Sequence, residues 1–114
     1  MIHYEHGDVV LVPFPFSNLF VTKKRPAVVK SSASFNRSTS DIVIIAITSN
    51  VTKENIVGDC ILNDWENAGL LKPSTIKPAI ATIEQNLIIK KLGILSKRDL
   101  YSLKISLLSL LNLK

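Results

Sequence analysis

The sequence predicts a mainly β fold that ends in a single helix. Short apolar runs rich in β-branched residues, separated by turn residues, fill most of the chain. The last stretch, "LYSLKISLLSLLNLK", instead repeats leucine at helical spacing. Runs of strands before a helix favour a curled antiparallel β core. Because the chain has 114 residues, we expect residues 1–114 to form one domain.

Composition and charge narrow the class of partner. Hydrophobic residues make up 46% and charged residues 20% of the chain, which is an ordinary globular composition. Fourteen lysines and arginines against nine aspartates and glutamates leave a net charge of +5. This excess favours an anionic partner, such as a nucleic acid or an acidic peptide.

The sequence also carries signals about its compartment. The start, "MIHYEHGDVV", lacks the pattern of a secretory signal, and the leucine-rich end is too short and too interrupted to span a bilayer. Cys60 is the only cysteine, which excludes an internal disulfide and fits a reducing compartment. We therefore expect a cytoplasmic protein with no membrane partner.

The first strands are predicted from three apolar runs. Val9 to Val12 is a β-branched run that Pro13 and Pro15 are expected to end, with "FSNLFVTKK" as the following loop. Ala27 to Lys30 and Ile42 to Thr48 are almost uniformly apolar, which is typical of central strands. The polar stretch "SSASFNRSTSD" between them is predicted to be a connection.

Further strands precede the final helix. Cys60 to Leu62 predicts a short strand, after which "NDWENAG" is expected to turn. The stretch "STIKPAIATIEQNLIIKKLG" predicts at least two extended pieces, divided near Pro78 and Gly93. The total is five to seven short strands before a helix of about four turns.

The final helix has the clearest signals. Ser96-Lys97-Arg98-Asp99 matches a capping box in which Asp takes the place of Glu or Gln. Its leucines either cap the β core or also contribute, through Leu108 and Leu110, to a contact between two copies. The predicted apolar stripe consists of Leu100, Leu103, Leu107, Leu108, Leu110 and Leu111.

Common catalytic and metal-binding motifs are missing from the sequence. There is no glycine-rich phosphate loop, no pair of histidines at helical spacing and no cysteine cluster, so no metal and no cofactor is expected. His3 and His6 are expected to be surface or structural residues, and Cys60 a buried small residue. Trp65 is expected to anchor its loop, the alternative being a platform for a nucleic-acid base.

Arg25 and the pair Thr48-Ser49 remain as candidate functional residues. Arg25, in "KKRPAVVK", enters one apolar strand, and Thr48, in "AITSN", ends another. If these strands are antiparallel neighbours, the guanidinium and the hydroxyl meet at one rim of the sheet. Both groups can bind phosphate oxygens there. The alternative is a solvated strand edge with no ligand.

Five segments of the chain occur in the order found in MazF/PemK-type toxins of type II toxin–antitoxin systems. They are "GDVVLVPFPF", "KKRPAVVK", "AITSN", "GLLKPSTIKP" and "ATIEQNLIIKKLGILSKRDL". The sequence resembles this family from Gly7 to the last helix. The resemblance implies a homodimer with an SH3-like barrel and a C-terminal helix, the fold that this family shares with CcdB.

The resemblance also implies an activity and a partner. Such toxins are metal-independent endoribonucleases that cut single-stranded RNA, usually messenger RNA, and a cognate antitoxin blocks their RNA groove. In many members a ribose 2′-hydroxyl attacks the phosphate, leaving a 2′,3′-cyclic phosphate. The family's catalytic arginine and threonine fall on Arg25 and Thr48. The candidate RNA contacts are Ser17, Asn18, Lys23, Lys24 and Ser49, with solvation as the alternative for the lysines.

Departures from the family leave some properties open. The loop before Arg-Pro is "FSNLFVTKKRP" instead of the glycine-rich loop of some relatives, so their target motif is not transferred. Pro78 takes the place of an aspartate used by some members, and arginine is a poor general base, so no base is assigned. Two other functions remain: a non-catalytic gyrase poison like CcdB, and a barrel that binds RNA or peptide.

Overall fold

A computed structural model describes residues 3–15, 22–49 and 59–113 of the chain. Most of these residues belong to strands, and a 3₁₀ turn, Gln85–Leu87, joins the last two of them. Within the described ranges the elements are β1 (Asp8–Pro15), β2 (Thr22–Val29), α1 (Ala33–Ser38), β3 (Asp41–Thr48), β4 (Cys60–Ile61), β5 (Thr75–Glu84), β6 (Lys90–Ile94) and α2 (Lys97–Leu110).

The strands form one antiparallel sheet, in the order β4-β5-β3-β2-β1-β6. The sheet is a half-barrel, and the C-terminal helix α2 packs on one side of it. This confirms the predicted mainly β class with a C-terminal helix. It also confirms that β2 and β3 are central strands, since each has a neighbour on both sides.

Apolar side chains pack on both sides of the sheet, because successive residues of a strand point to opposite faces. On one side, which we call the helix face, Val9, Val28 and Ile45 form a core with Leu103 and Leu107 of α2. On the other side, the far face, a second core contains Val10, Val12, Phe14, Ala27, Val29, Ile42, Ile44 and Ala46.

β1 continues through Pro13 and Pro15, so the prediction that these prolines end the strand was wrong. β6 pairs with β1 only as far as Leu11, whose carbonyl accepts a hydrogen bond from Ile89 N–H at 2.8 Å. The backbone N–H and C=O groups of every second residue of a strand point to the same edge. The backbone of Pro13 and Pro15 therefore faces the β6 edge of β1, as that of Leu11 does. That edge is not covered by β6, and a missing N–H there removes no ladder hydrogen bond.

β2 begins at Thr22, earlier than the predicted start at Ala27. It therefore contains Lys23, Lys24 and Arg25, which were expected to precede the strand. The cause is its hairpin partner: the longer β1 pairs with β2 as far as Pro15 and Thr22. Arg25 is therefore an internal strand residue opposite Val12. Residues 16–21 of the predicted loop lie outside the described part of the chain.

The connection between β2 and β3 contains the short helix α1, which the sequence prediction missed. The Ser32 hydroxyl caps this helix by accepting a hydrogen bond from Phe35 N–H at 3.1 Å. Asn36 is buried and donates to the Tyr4 carbonyl at 2.8 Å. A helix of six residues is too short to show an apolar period, so its polar sequence predicted a loop.

β5 runs unbroken through Pro78, where the prediction divided it. β4 covers the outer edge of β5 only at Thr75 and Ile76, and the pairing with β3 is irregular near Ile47. A proline is tolerated at an uncovered edge or at an irregular pair. The break comes instead at the 3₁₀ turn, where the Gln85 side chain donates to the backbone carbonyls of Asn36, Thr39 and Asp41.

One of the two side-chain caps of the predicted capping box is present at the N-terminus of α2. The Ser96 hydroxyl accepts a hydrogen bond from Asp99 N–H at 3.2 Å, which confirms Ser96 as the cap. The fully buried Asp99 carboxylate is used elsewhere: it accepts hydrogen bonds from Asn63 N–H at 2.9 Å and Asp64 N–H at 2.8 Å. Asp99 therefore attaches the loop after β4 to the start of the helix.

Most of the leucine stripe of α2 faces the sheet. Leu103 and Leu107 are buried, and Leu100 and Leu110 are partly buried against the same core. Leu111 is an exception, because the helix ends at Leu110 and Leu111 is 49% exposed. Among the helices of the described ranges, none is long and apolar enough to cross a membrane.

Candidate functional site

A groove of about 540 Å³ lies where β2 begins and β3 ends. Its lining comes from β1, β2, β3, β6 and the loop between β4 and β5. Among the described residues that line it there is no carboxylate, so the groove attracts anions. The basic residues of the lining are Lys23, Lys24, Arg25, Lys72 and Lys90.

Under these cations the groove is largely apolar. Hydroxyl groups of Thr48, Ser49 and Ser74 are the remaining polar side chains of the described lining. An anionic ligand that also carries a flat apolar part would match this combination of charge and surface. The apolar lining consists of Leu11, Pro26, Ile47, Leu70, Leu71 and Leu92.

The register of β2 and β3 brings Arg25 and Thr48 to one place. Ala27 pairs with Ala46, and both side chains lie in the far-face core. Arg25 lies two residues before Ala27 and Thr48 two residues after Ala46, so both point to that same face. Continuing the register sets them opposite each other at the end of the strand pair. Both are partly buried, and both line the groove.

The other predicted contact residues divide into two groups. Lys23, Lys24 and Ser49 line the groove and are exposed. Ser17 and Asn18 lie outside the described residues.

The sequence prediction missed Lys72, Ser74 and Lys90. Lys72 and Ser74 are in the segment "GLLKPS", which was assigned to the family but to no role. Lys90 reaches the groove through strand order alone: Leu11 of β1 pairs with Pro26 on one side and with Lys90 on the other. No local pattern indicates that β6 is the neighbour of β1.

The loop that carries Lys72 is held against β6 by two glycines. A Cβ atom on Gly69, which has a φ of +78°, would lie 2.0 Å from the Leu92 carbonyl oxygen. A Cβ atom on Gly93 would lie 2.5 Å from the Ala68 carbonyl carbon. Only residues without a side chain permit this backbone approach, so the loop and β6 form one continuous wall of the groove.

The remaining candidates of the sequence analysis do not line the groove. The pKa of His6 is lowered by burial and by Lys30, whose Nζ lies 2.8 Å from His6 Nε2. Burial raises the pKa of the Cys60 thiol to about 11, and Cys60 is buried as predicted. Trp65 packs against the helix-face core and is not part of the groove lining. His3 is exposed and lies beside the 3₁₀ turn.

Metal ligands in proteins are typically clusters of His, Cys, Asp and Glu side chains, and the structure describes residues 3–15, 22–49 and 59–113. No group of three or more His, Cys, Asp or Glu side chains in these ranges is arranged to hold a metal ion.

A family model of PemK-like, MazF-like toxins of type II toxin–antitoxin systems matches residues 5–111. The match covers nearly the whole chain, so the chain belongs to this family. It includes β1 to α2, and therefore all the elements that line the groove. No curated protein sequence matches the chain significantly.

Solved structures of low sequence identity share the fold. A MazE–MazF structure from Deinococcus radiodurans has a TM-score of 0.79 at 18% identity, over 100% of both chains. An endoribonuclease in complex with its cognate antitoxin, from a mycobacterial species, has a TM-score of 0.78 at 18% identity, over 97% of both. The Mycobacterium tuberculosis toxin MazF-mt6 has a TM-score of 0.77 at 15% identity, over 94% of this chain and 98% of its own.

Proposed function

We propose that this toxin is an endoribonuclease that cuts single-stranded RNA, including messenger RNA, without a metal ion. The observation that carries the proposal is the position of Arg25 and Thr48 in one basic groove whose described lining has no carboxylate. Structural neighbours that are endoribonucleases and MazF toxins support it through their fold. The single cysteine supports a cytoplasmic site of action, and the family match over residues 5–111 supports a single toxin domain.

In the proposed reaction the RNA supplies its own nucleophile. The ribose 2′-oxygen attacks the adjacent phosphorus as its proton leaves to a base. The bond from phosphorus to the 5′-oxygen then breaks, and that oxygen takes up a proton. The products are a 2′,3′-cyclic phosphate and a 5′-hydroxyl, so the atoms balance without water or a cofactor.

Arg25 and Thr48 are proposed as the catalytic residues of this reaction. Negative charge accumulates on the non-bridging phosphate oxygens as the 2′-oxygen attacks. The guanidinium can donate two parallel hydrogen bonds to these oxygens and, at the same site, a proton to the leaving 5′-oxygen. The Thr48 hydroxyl is a second donor. Donors that are fixed before the reaction stabilise the transition state more than the bound substrate.

Five further residues are proposed to contact the RNA. Lys23 and Lys24 precede Arg25 on the same strand and offer charge to the phosphates on one side of the cut. Ser49, Ser17 and Asn18 are proposed as hydrogen-bond partners of the RNA.

The test is an RNA cleavage assay in the presence of EDTA. We expect the purified protein to cut single-stranded RNA and to leave cyclic-phosphate ends. Arg25→Ala should lower the rate on the order of a hundredfold or more, because it removes a transition-state donor. Arg37→Ala, which removes an exposed arginine of α1, is the matched control and should cut normally.

Three results would contradict this function. Cutting that persists in Arg25→Ala would remove the catalytic assignment, and cutting that stops with EDTA would remove the metal-free reaction. Binding of RNA without cutting would favour an RNA-binding barrel. If the wild type neither cuts nor binds RNA, and instead inhibits purified gyrase, it is a poison that acts through protein contact.

We also propose a homodimer and a cognate antitoxin as protein partners. An outer stripe of α2, formed by Tyr101, Ile105 and Leu108 at helical spacing, supports the dimer, since Tyr101 is 65% and Ile105 47% exposed. Light scattering should give twice the mass of the chain, and Ile105→Lys should reduce it to the monomer. The antitoxin is tested by expressing the protein in cells. If growth stops and expression of a neighbouring gene restores it, that gene encodes the antitoxin. If the cells keep growing, the protein is not a toxin.

A further inference from the structure

We propose that Leu71, Lys72 and Lys90 form a second binding wall of the groove, across from Lys24 at the start of β2. This wall would hold one unpaired nucleotide next to the phosphate that is cut, with the lysines on two neighbouring phosphates and Leu71 on the base. The inference rests on the proposed function, because it names further contacts to the same RNA.

The order of the strands separates the two walls. Leu11 of β1 lies between Pro26 of β2 and Lys90 of β6 and pairs with both. Two strand spacings therefore separate Lys90 from Pro26, which is about 10 Å. Directly paired residues point to the same face, so Lys90 shares the face of Leu11 and Pro26, which is also the face of Lys24. The Lys90 ammonium therefore lies across the apolar floor from Lys24, while Arg25 lines the groove from the other face of β2.

The two lysines differ from their neighbours in having no structural partner within the described residues. Lys91 pairs with the buried Asp8 at 3.2 Å, and Lys77 pairs with Asp59 at 3.3 Å. Neither Lys72 nor Lys90 has an ion pair or a side-chain hydrogen bond with the described part of the chain. Their charges are thus available to the phosphates of a ligand.

Leu71 supplies the apolar part of this wall. It is 93% exposed although it lines the groove, so nearly all of its surface is open to a ligand. It precedes Lys72 in the loop that Gly69 holds against Gly93, and its position relative to β6 is therefore fixed. An apolar side chain beside a phosphate-binding lysine matches a nucleotide, which joins a flat base to an anion.

The proposed contact between Leu71 and a base requires the single-stranded RNA of the proposed function. Bases of a double helix are stacked and paired, and they present only their edges. A base can lie on Leu71 only if its face is exposed, which requires an unpaired strand. The second wall thus favours single-stranded RNA over a duplex of the same length and charge.

The experiment measures binding of a short single-stranded RNA with 2′-O-methyl riboses, which lack the nucleophile and cannot be cut in this way. Fluorescence anisotropy gives Kd at several salt concentrations for the wild type and for Lys72→Ala/Lys90→Ala. Each lost phosphate contact on a single strand should reduce the slope of log K against log salt by about 0.7. The charge-matched control, Lys97→Ala/Lys104→Ala on exposed positions of α2, should keep the wild-type slope.

A second variant tests the contact to the base. Leu71→Ser should weaken binding of this RNA by about tenfold, because apolar surface is no longer buried. Binding of an oligonucleotide without bases should not change in this variant. In cleavage of unmodified RNA, Leu71→Ser should raise KM with little effect on kcat.

The outcomes separate this inference from the proposed function. If the wild type binds no RNA, both are wrong. If the wild type binds and cuts RNA but the Lys72→Ala/Lys90→Ala slope stays at the wild-type value, only the second wall is wrong. A slope that falls equally in both double variants would mean a general charge effect and would also overturn it. Circular dichroism and thermal unfolding confirm that each variant is folded.

Discussion

Arg25 owes its position to a strand rather than to a loop. Its backbone is fixed by pairing with Val12, and the residue that follows it is a proline with a restricted φ. A side chain on such a backbone loses less conformational freedom when it binds a phosphate than one on a mobile loop. The catalytic role that we propose for Arg25 would therefore use a position that its strand already fixes.

The Thr48 hydroxyl can be tested apart from the shape of its side chain. Thr48→Val replaces the hydroxyl with a methyl group and should lower the rate of RNA cleavage by about a hundredfold, because a donor to the transition state is lost. Thr48→Ser keeps the hydroxyl and should retain most of the activity. Single-turnover rates measure both, and equal rates for the two variants would contradict the role of the hydroxyl.

Cys60 should be an unreactive thiol in the native protein. Burial raises its pKa from 9.0 to about 11, so the neutral thiol persists at pH values where an exposed cysteine ionises. Alkylation by iodoacetamide at pH 8 should be slow in the folded chain and fast after denaturation. Since folding favours the neutral form, stability should fall as the pH rises from about 9 towards 11. Equally fast alkylation of the native and denatured chains would contradict this burial.

At the scale of elements, the start of α2 is tied to the loop after β4 by a small polar network. Arg98 donates to both carboxylate oxygens of Asp64 at 2.6 Å, and the Ser96 hydroxyl donates to the same carboxylate. Asp99 accepts from the loop backbone on the buried side. The loop before Gly69 is therefore anchored at its start, before the glycine contact holds its end.

This network predicts a pH-dependent effect of Arg98→Ala. Hydrogen bonds from Arg98, and then from Ser96, lower the pKa of Asp64 from 3.8 to about 2. A lowered carboxyl pKa stabilises the fold above the unfolded value, and this contribution is lost as the pH falls from about 4 to about 2. Arg98→Ala should thus be less stable than the wild type at pH 6, and the difference should shrink near pH 2. Urea unfolding at both pH values measures it, and a difference independent of pH would contradict the pairing.

Elements were predictable where a local signal marks them. Ser96 could be recognised as a cap because a serine before a helical leucine pattern is a local signal. The start of β2 could not be predicted, because pairing with β1 extends the strand into polar residues that have no strand pattern of their own. α1 was hidden for a similar reason: its single buried polar residue, Asn36, is held by the Tyr4 carbonyl, which is distant in sequence.

At the scale of the whole molecule, the groove is a product of strand order. Arg25 and Thr48 could be placed together from the sequence, because two central antiparallel strands that follow each other usually pair. The position of Lys90 in the groove could not be predicted, because it depends on the last strand, β6, lying beside the first, β1. Lys72 depends on a close backbone approach of Gly69 and Gly93, which no periodicity indicates.

Gly93→Ala should disturb both the fold and the groove. The new methyl group would lie 2.5 Å from backbone atoms of Ala68, which cannot move away as a flexible side chain would. We expect a loss of about 1–3 kcal/mol in the free energy of unfolding and weaker RNA binding, because the Lys72 loop is pushed from β6. Urea unfolding and anisotropy measure the two effects. Ile94→Ala, at the exposed next position, is the comparison and should bind RNA normally; a Gly93→Ala chain as stable and as tightly binding as this one would contradict the close approach.

Proline occurs at both places where the described strands leave an edge of the sheet uncovered. Where β6 stops covering β1 the chain has Pro13 and Pro15, and where β4 stops covering β5 it has Pro78. An open strand edge can recruit a strand from another molecule and so start a fibril, and proline interrupts the hydrogen bonds that such growth requires. These three prolines are therefore expected to hinder the growth of the sheet by addition of a strand from another molecule.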